Sequence, residues 1–358
     1  MQAVMIGDRR VGHPEPVFVV AEAGVNHNGD IEMAQKMIAA AAAARADAVK
    51  FQTWRTEAII SRSAPKAEYQ KSDAGDNETM FEMEKALELP PEAFAALKRD
   101  AEAAGLIFLS SPFDEPSVDV LAQLAVAAFK VPSGELTNLS LLRHIARTGR
   151  PMIISTGMTT LGEVESAVEA VTSEGNEQIV LLHCTSCYPT ALPDCNLRAM
   201  PTLRTAFGRP VGYSDHTEGV TAAVAAVALG ACMIEKHFTL DRALPGPDHK
   251  ASLEPDELGD LVRSIRDCET ALGSASKEPT AAEADVKAAA RKSIVAARPI
   301  PAGTRITRDM LAVKRPGTGL TPDALELVVG QVAAEDIAED ALLDWPMLRA
   351  GGGTEGGS

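Results

Sequence analysis

An α/β fold, a (β/α)8 TIM barrel followed by a small β-rich domain, is the class that the sequence predicts, and three observations predict it. Eight short β-branched or aromatic runs recur along the chain, each turning polar or glycine-rich at its C-terminal end. Segments with helical periodicity separate them, as parallel strands joined by crossover helices require. Near residue 273 this alternation stops and short strands with turns take over.

The expected strands are FVVAEAG (18–24), AVKFQTW (48–54), IFLSSPF (107–113), AFKVPSG (128–134), MIISTGM (152–158), IVLLHCTS (179–186), PVGYSDHT (210–217) and CMIEKHFT (232–239). Helical periodicity runs through IEMAQKMIAAAAAARA, PEAFAALKRDAEAAG, LGEVESAVEAVTSEG and TAAVAAVALGA. An open doubly wound sheet is the competing architecture, but AEAGVNHNGD after the first strand lacks the G-x-G-x-x-G spacing that a phosphate loop needs. Two insertions interrupt the rhythm. The polar stretch 57–89 is expected to form a lid-like loop over the barrel mouth, and DRALPGPDHKASLEP (241–255) to lie on the same side. Residues 1–272 are assigned to the barrel, 273–290 to a linker, 291–350 to the small domain and 351–358 (GGGTEGGS) to a disordered tail, in which nothing can be buried.

Composition narrows the function. With 46% hydrophobic residues in 358, the chain can bury a substantial core. A net charge of -16 repels polyanions over most of the surface, which argues against nucleic acid and membrane as partners and leaves small anions in a locally basic pocket. The N-terminus shows no signal-like apolar run, and a cytoplasmic location is expected. Cys184, Cys187, Cys195, Cys232 and Cys268 are odd in number, which suits reduced thiols. Cys184 and Cys187 form a lone C-x-x-C that reads as barrel sequence rather than as a zinc or redox pair.

In a barrel of this kind catalysis gathers at the C-terminal strand ends. Those ends carry Glu22; Lys50 and Gln52; Ser111; Lys130, Ser133 and Glu135; Ser155; Ser186 and Tyr188; Ser214, Asp215 and His216; and Glu235 and His237. Two lysines among hydroxyls suit a substrate bearing both phosphate and carboxylate, such as phosphoenolpyruvate. The competing reading is that barrel carboxylates cap both lysines; the cost of burying ammonium groups without anionic partners favours the anion site. His216 and His237 end neighbouring strands and are candidate ligands for a divalent ion with open coordination positions, more in keeping with Mn or Mg than with structural zinc. A Schiff-base aldolase using Lys50 or Lys130 is the main rival and leaves the histidine pair unexplained. A non-catalytic sugar-binding protein leaves the charged mouth unexplained.

These residues belong to motifs that occur in one order: AEAGVNHNGD, VKFQT, SSPFD, KVPSGE, STGM, LLHCTSCYPT, YSDHT, EKHFT, GPDHKASLEP and KRPGTG. Over residues 15–345 the chain resembles the sialic acid synthase family, and the ordered set is specific although each motif alone is weak. The resemblance implies a barrel with a C-terminal antifreeze-like (SAF) domain and a domain-swapped homodimer, the small domain reaching the partner's active site. It implies Mn2+, or another divalent cation such as Mg2+, on His216 and His237. Catalytic roles fall on Glu22, Lys50 and Lys130. Phosphoenolpyruvate is implied to meet Lys50, Ser111, Lys130, Ser133, Ser155, Ser186, Tyr188 and Ser214. The acceptor sugar is implied to meet Gln52, Tyr188, Asp248 and Arg315, the last from the other protomer.

The implied reaction joins the methylene carbon of phosphoenolpyruvate to the aldehyde of an acylated amino-sugar, adds water at carbon 2 and releases phosphate by C–O cleavage. The product is a nonulosonic (sialic-type) acid of polysaccharide biosynthesis. Ser111 stands where threonine is common in the family, and Ser186 where some members carry asparagine. Arg291 and Lys292 occupy a stretch where certain N-acetylmannosamine-using members place an aromatic. GPDHKAS is nearer to the synthases of N-acetylneuraminate and legionaminate than to those of pseudaminate. The expectation is therefore N-acetylneuraminate synthesis from N-acetylmannosamine, with N,N'-diacetyllegionaminate synthesis from 2,4-diacetamido-2,4,6-trideoxymannose as the alternative and a spore-coat polysaccharide synthase third.

Overall fold

The structure, a computed structural model, describes residues 3–66 and 79–351. The chain divides into two compact units, Met1–Gly273 and Ser274–Ser358. The first begins with an antiparallel hairpin, β1 (Val4–Ile6) and β2 (Arg9–Val11), absent from the sequence expectation because three-residue strands are too short to show a period. Eight parallel strands then close a barrel: β3 (Phe18–Gly24), β4 (Ala48–Thr53), β5 (Ile107–Pro112), β6 (Phe129–Val131), β7 (Met152–Ser155), β8 (Ile179–Cys184), β9 (Val211–Asp215) and β10 (Met233–His237), with β10 paired to β3. All eight coincide with expected runs.

Helices return the chain after each strand. They are α1 (Ile31–Ala43) after β3; α2 (Thr56–Ile59), α3 (Met80–Leu87) and α4 (Pro91–Ala103) after β4; α5 (Glu115–Gln123) after β5; and α6 (Leu139–Ala146) after β6. The circuit continues with α7 (Leu161–Thr172), α8 (Ala199–Phe207), α9 (Thr221–Ala228) and α10 (Pro255–Leu272). Side chains start several of them. Asp30 accepts from the Glu32 and Met33 amides at α1, and Thr160 and Glu163 cap α7 reciprocally.

The described part of 57–89 is loop over 60–66 but not throughout. Met80, Met83 and Leu87 recur at helical spacing, Thr79 and Glu82 form a capping box, and α3 results. Met83 and Leu87 pack with Val25 and Trp54 in a small apolar cluster of their own. Residues 67–78 of the expected lid, and 352–358 of the expected tail, lie outside the described residues.

Strand alternation places the site. On β3, Val19, Ala21 and Ala23 face the helices, while Phe18 and Val20 face the barrel interior. A period of two therefore sends Glu22 inward. By the same count Ala48 leads to Lys50 and Gln52, Leu109 to Ser111, Ala128 to Lys130, Ile153 to Ser155, and Met233 to Glu235 and His237. The lower interior is apolar and is closed by Val4, Ile6 and Val11 of the hairpin, so the polar residues converge at the upper rim. Burying each large apolar side chain of this floor contributes ~1.5–3 kcal/mol.

In the second unit, a short α11 (Ala284–Ala290) lies in the exposed stretch 271–292, inside the expected linker. Small antiparallel pairs follow, β11 (Ser293–Ala296) with β12 (Leu311–Lys314) and β13 (Val332–Ala333) with β14 (Leu348–Arg349). Ile294, Ile300, Ile306, Val328, Ile337 and Leu343 form their common core. Among the described residues, no helix is long and apolar enough to cross a membrane.

Candidate active site

A cavity of about 530 Å³ opens at the C-terminal ends of the barrel strands. Its wall includes Glu22, Lys50, Gln52, Ser111, Lys130, Ser133, Ser155, Ser186, Tyr188, Ser214, His216, His237 and Asp248, the site residues expected in this unit. Arg315 belongs to the second unit, where it is exposed and its Nε donates to the Ala290 carbonyl at 3.0 Å. Asp215, read as a mouth residue from its place at a strand end, faces away from the cavity. It pairs with Lys236, because alternation turns both outward.

The centre of the cavity is a chain of ion pairs. Glu22 and Lys50 are opposite each other in the β3–β4 register, and Lys50 Nζ lies 2.8 Å from Glu22 Oε1. Glu235 reaches both lysines, with Oε1 at 3.2 Å from Lys130 Nζ and Oε2 at 3.8 Å from Lys50 Nζ. This corrects the premise that the lysines lack anionic partners: in this arrangement barrel carboxylates cap both. Two positive and two negative groups balance, so an incoming dianion must draw on neutral donors as well.

Those donors are present. Lys50 Nζ donates to Ser111 Oγ at 3.1 Å, Ser214 Oγ donates to Glu235 Oε1 at 3.1 Å, and Gln52 Nε2 donates to Glu22 Oε1 at 3.1 Å. The Gly157 amide donates to Ser133 Oγ at 3.0 Å, and Ser133 Oγ is 3.3 Å from Cys184 Sγ. Among the described residues, Glu22 Oε2, Ser155 Oγ, Glu235 Oε2 and His237 Nδ1 are buried without a hydrogen-bond partner. Orphaned buried polar atoms are costly, ~1–3 kcal/mol each, and a ligand that meets them recovers that energy.

Burial and charge tune the acids in opposite directions. Burial pushes Glu22 up to about 7 against the opposing pull of Lys50. Burial would also raise Glu235, but Lys130 and Lys50 together outweigh it and hold its carboxyl at about 2. Burial lowers Lys130 despite Glu235. Burial, with His216 and Lys50 nearby, holds His237 well below its ordinary value, so its imidazole is neutral.

The two imidazoles suit a divalent cation. Their ring centroids are 5.5 Å apart, and His216 Nδ1 donates to the Thr185 carbonyl at 2.8 Å, so Nε2 is the nitrogen that a cation would meet. Burial lowers this imidazole, but its contact with Cys184 outweighs burial and raises it above its ordinary value, so a cation there would displace a proton. His237 Nδ1 has no hydrogen bond and stands 3.8 Å from Asp248 Oδ2. Tyr188 packs on His216 at 4.2 Å between ring centroids and meets the His237 ring edge-on at 5.7 Å. The β3–β4 register shifts between Glu22 and Gly24, where φ is +53°; a Cβ there would stand 3.3 Å from the His237 ring and 3.4 Å from Glu22 Oε1. Among the described residues, no three His, Cys, Asp or Glu side chains converge tightly enough to hold a metal. A cation on this pair would therefore keep most of its sphere for water and substrate oxygen, as Mn2+ and Mg2+ do.

Sequence reasoning gave Glu235 no task, although it stands two residues before His237 and the period of two already placed it inside. Glu84 and Gly157 were also missed. Glu84 lines the cavity from the insertion, and Gly157 sits in a loop where no period applies.

Fold and site together define a (β/α)8-barrel enzyme with an ion-paired, hydroxyl-rich centre. The NeuB family matches residues 37–277 and the SAF domain residues 291–349. The chain is 46% identical over 337 residues to the N,N'-diacetyllegionaminic acid synthase of Legionella pneumophila, covering 93% of this chain and 95% of that one. It is 40% identical over 334 residues to the N-acetylneuraminate-9-phosphate synthase of Homo sapiens, covering 93% and 92%. The crystal structure of the N-acetylneuraminic acid synthetase from Leptospira borgpetersenii aligns with a TM-score of 0.72 at 36% identity, covering 80% of this chain and 95% of that one. The chain belongs to the NeuB family, the sialic-acid-type synthases, and is a transferase that forms a carbon–carbon bond.

Proposed function

We propose that the enzyme condenses phosphoenolpyruvate with 2,4-diacetamido-2,4,6-trideoxymannose and water, giving N,N'-diacetyllegionaminic acid and phosphate. The observation that carries this reading is the pairing of Lys50 and Lys130 with Glu22 and Glu235 in one cavity beside orphaned Ser155 Oγ and His237 Nδ1. The acceptor preference differs from the sequence expectation of N-acetylmannosamine. It is supported by the 46% identity to a legionaminic acid synthase. A second support is the apolar wall of Trp54, Ile59, Ile60, Met80 and Phe113, which suits a deoxy sugar with two acetyl methyls better than a more hydroxylated one.

The residues divide the work by charge. Lys50 and Lys130 hold the phosphate and carboxylate, giving up part of their attraction to Glu22 and Glu235. Ser111, Ser133, Ser155, Ser186, Ser214 and Tyr188 supply hydrogen bonds. Each bond to a charged oxygen is worth ~1.5–3 kcal/mol, enough together to offset the carboxylates' repulsion. Gln52 and Asp248 orient the acceptor chain, with Arg315 of a second copy assigned the same task in a homodimer. When bound by His216 and His237, a divalent cation such as Mn2+ supplies Lewis acidity at the aldehyde oxygen. The methylene carbon of phosphoenolpyruvate bonds to the aldehyde carbon, whose C=O pair moves to oxygen, and a water held by Glu22 Oε2 bonds to carbon 2 while its proton passes through that carboxylate to the new alkoxide. The bridging C–O bond then breaks and its oxygen leaves with phosphate.

Phosphate release from phosphoenolpyruvate, measured with MnCl2 or with chelator and with mass detection of the product, tests the reading. Release with the diacetamido sugar that is lost on chelation supports it; release with N-acetylmannosamine alone would restore N-acetylneuraminate as the product. Borohydride trapping of a lysine adduct, with turnover indifferent to chelator, would establish the aldolase instead.

A further inference from the structure

Glu84 has no task in the reaction as drawn, yet it faces the same cavity as the reacting groups. It stands on α3, four residues after Met80, so the two share a face of that helix, and both line the cavity together with Ile59 and Ile60 from the end of α2 and the residue beyond it. This wall comes from the insertion and not from the strand ends. Burial, with the negative charge of Asp248 on the same cavity wall adding to it, pushes the Glu84 carboxyl up to about 7. Among the described residues, no hydrogen bond or ion pair reaches the Glu84 carboxyl. A half-buried carboxyl facing a second one, with no cation between them, is an unfavourable arrangement that a donor-bearing ligand relieves.

The surroundings specify the donor. A hydroxyl is both donor and acceptor and carries no apolar group, whereas a secondary amide presents an N–H that only donates and an acyl methyl beside it. Glu84 offers an acceptor for the N–H, and Ile59, Ile60 and Met80 offer an apolar surface for the methyl. We propose that Glu84 is a specificity-determining residue: it accepts a hydrogen bond from the N–H of the acylamino group at carbon 4 of the acceptor sugar. The enzyme thereby selects sugars with a second acylamino group over those with a hydroxyl there. This inference rests on the proposed condensation and deepens it.

Glu84→Met and Glu84→Gln, assayed with both acceptors and with the KM for phosphoenolpyruvate followed in parallel, test it. Loss of the hydrogen-bond acceptor in Glu84→Met, which leaves the acylamino N–H unpaired, should raise the KM for the diacetamido sugar about tenfold or more. The KM for N-acetylmannosamine should move much less, and that for phosphoenolpyruvate should hold. Glu84→Gln, whose amide oxygen still accepts, should fall between wild type and Glu84→Met, and it serves alone if the methionine variant does not fold. An unchanged preference between the two sugars, or an equal rise for phosphoenolpyruvate, overturns the inference while leaving the condensation intact. A wild-type enzyme inert toward both acceptors refutes the condensation and takes the inference with it.

Discussion

Lys236 and Asp215 form a fully buried ion pair, Nζ to Oδ2 at 2.8 Å, on the residues that immediately precede His237 and His216. They are direct partners in the β9–β10 register. Lys236 also donates to the Thr217 carbonyl, and Asp215 Oδ1 accepts from the Thr217 amide at 2.9 Å. The pair therefore clamps the segment from which His216 emerges against the strand that ends in His237.

Removing one partner leaves a buried charge unmatched, so Lys236→Met should cost about 3–5 kcal/mol in urea unfolding. Asp215→Leu combined with Lys236→Met should recover much of that stability. The same double variant should bind Mn2+ more weakly, measured by electron paramagnetic resonance of the free ion, since the clamp is gone. Undiminished Mn2+ binding in a folded double variant would show that the pair serves stability alone.

His237→Ala removes an imidazole from the rim of the barrel and not from its core. Divalent-cation binding should fall at least about tenfold, the usual scale for loss of a ligand or its support, while circular dichroism stays native. A folded variant with wild-type Mn2+ affinity would remove His237 from the ligand set.

Gly157 permits the close approach of the hydroxyl groups around it. A Cβ there would stand 2.7 Å from Ser133 Oγ, 2.9 Å from Cys184 Sγ and closer still to Ser186 Oγ. Gly157→Ala should raise the KM for phosphoenolpyruvate about tenfold or more, with little change for the acceptor. Thermal stability should change little, because the displaced atoms are side-chain tips facing a cavity. Equal effects on both substrates would argue against a phosphoenolpyruvate role for these serines.

His27 links stability to pH. Its Nδ1 accepts from the Gly29 amide at 3.0 Å, and burial, opposed in part by Asp30, lowers its pKa from 6.5 to about 4. The unfolded chain therefore takes up the proton first as pH falls. The stabilisation is complete above the unfolded value, is lost as pH drops from 6.5 toward 4, and levels off below that. The loss across this window should be about 3 kcal/mol in urea unfolding, and His27→Gln should flatten that part of the profile.

Much of the barrel was legible because its cause is local. Each strand announces itself by a β-branched run that ends polar, and the period of two carries Glu22, Lys50, Ser111, Lys130, Ser155 and His237 to the inner rim once the barrel is assumed. Ten ordered motifs pointed to the family. Distances between separate strands and insertions have no such local sign. That Glu235 is counter-ion to both Lys50 and Lys130, that Asp215 turns away to Lys236, and that α3 carries Glu84 to the cavity were decided by tertiary structure. The physical reason is that the sequence determines which face a side chain takes on its own strand or helix. Barrel closure and the packing of the insertion determine which charges from distant segments meet, and buried charges settle on whatever partner that geometry supplies.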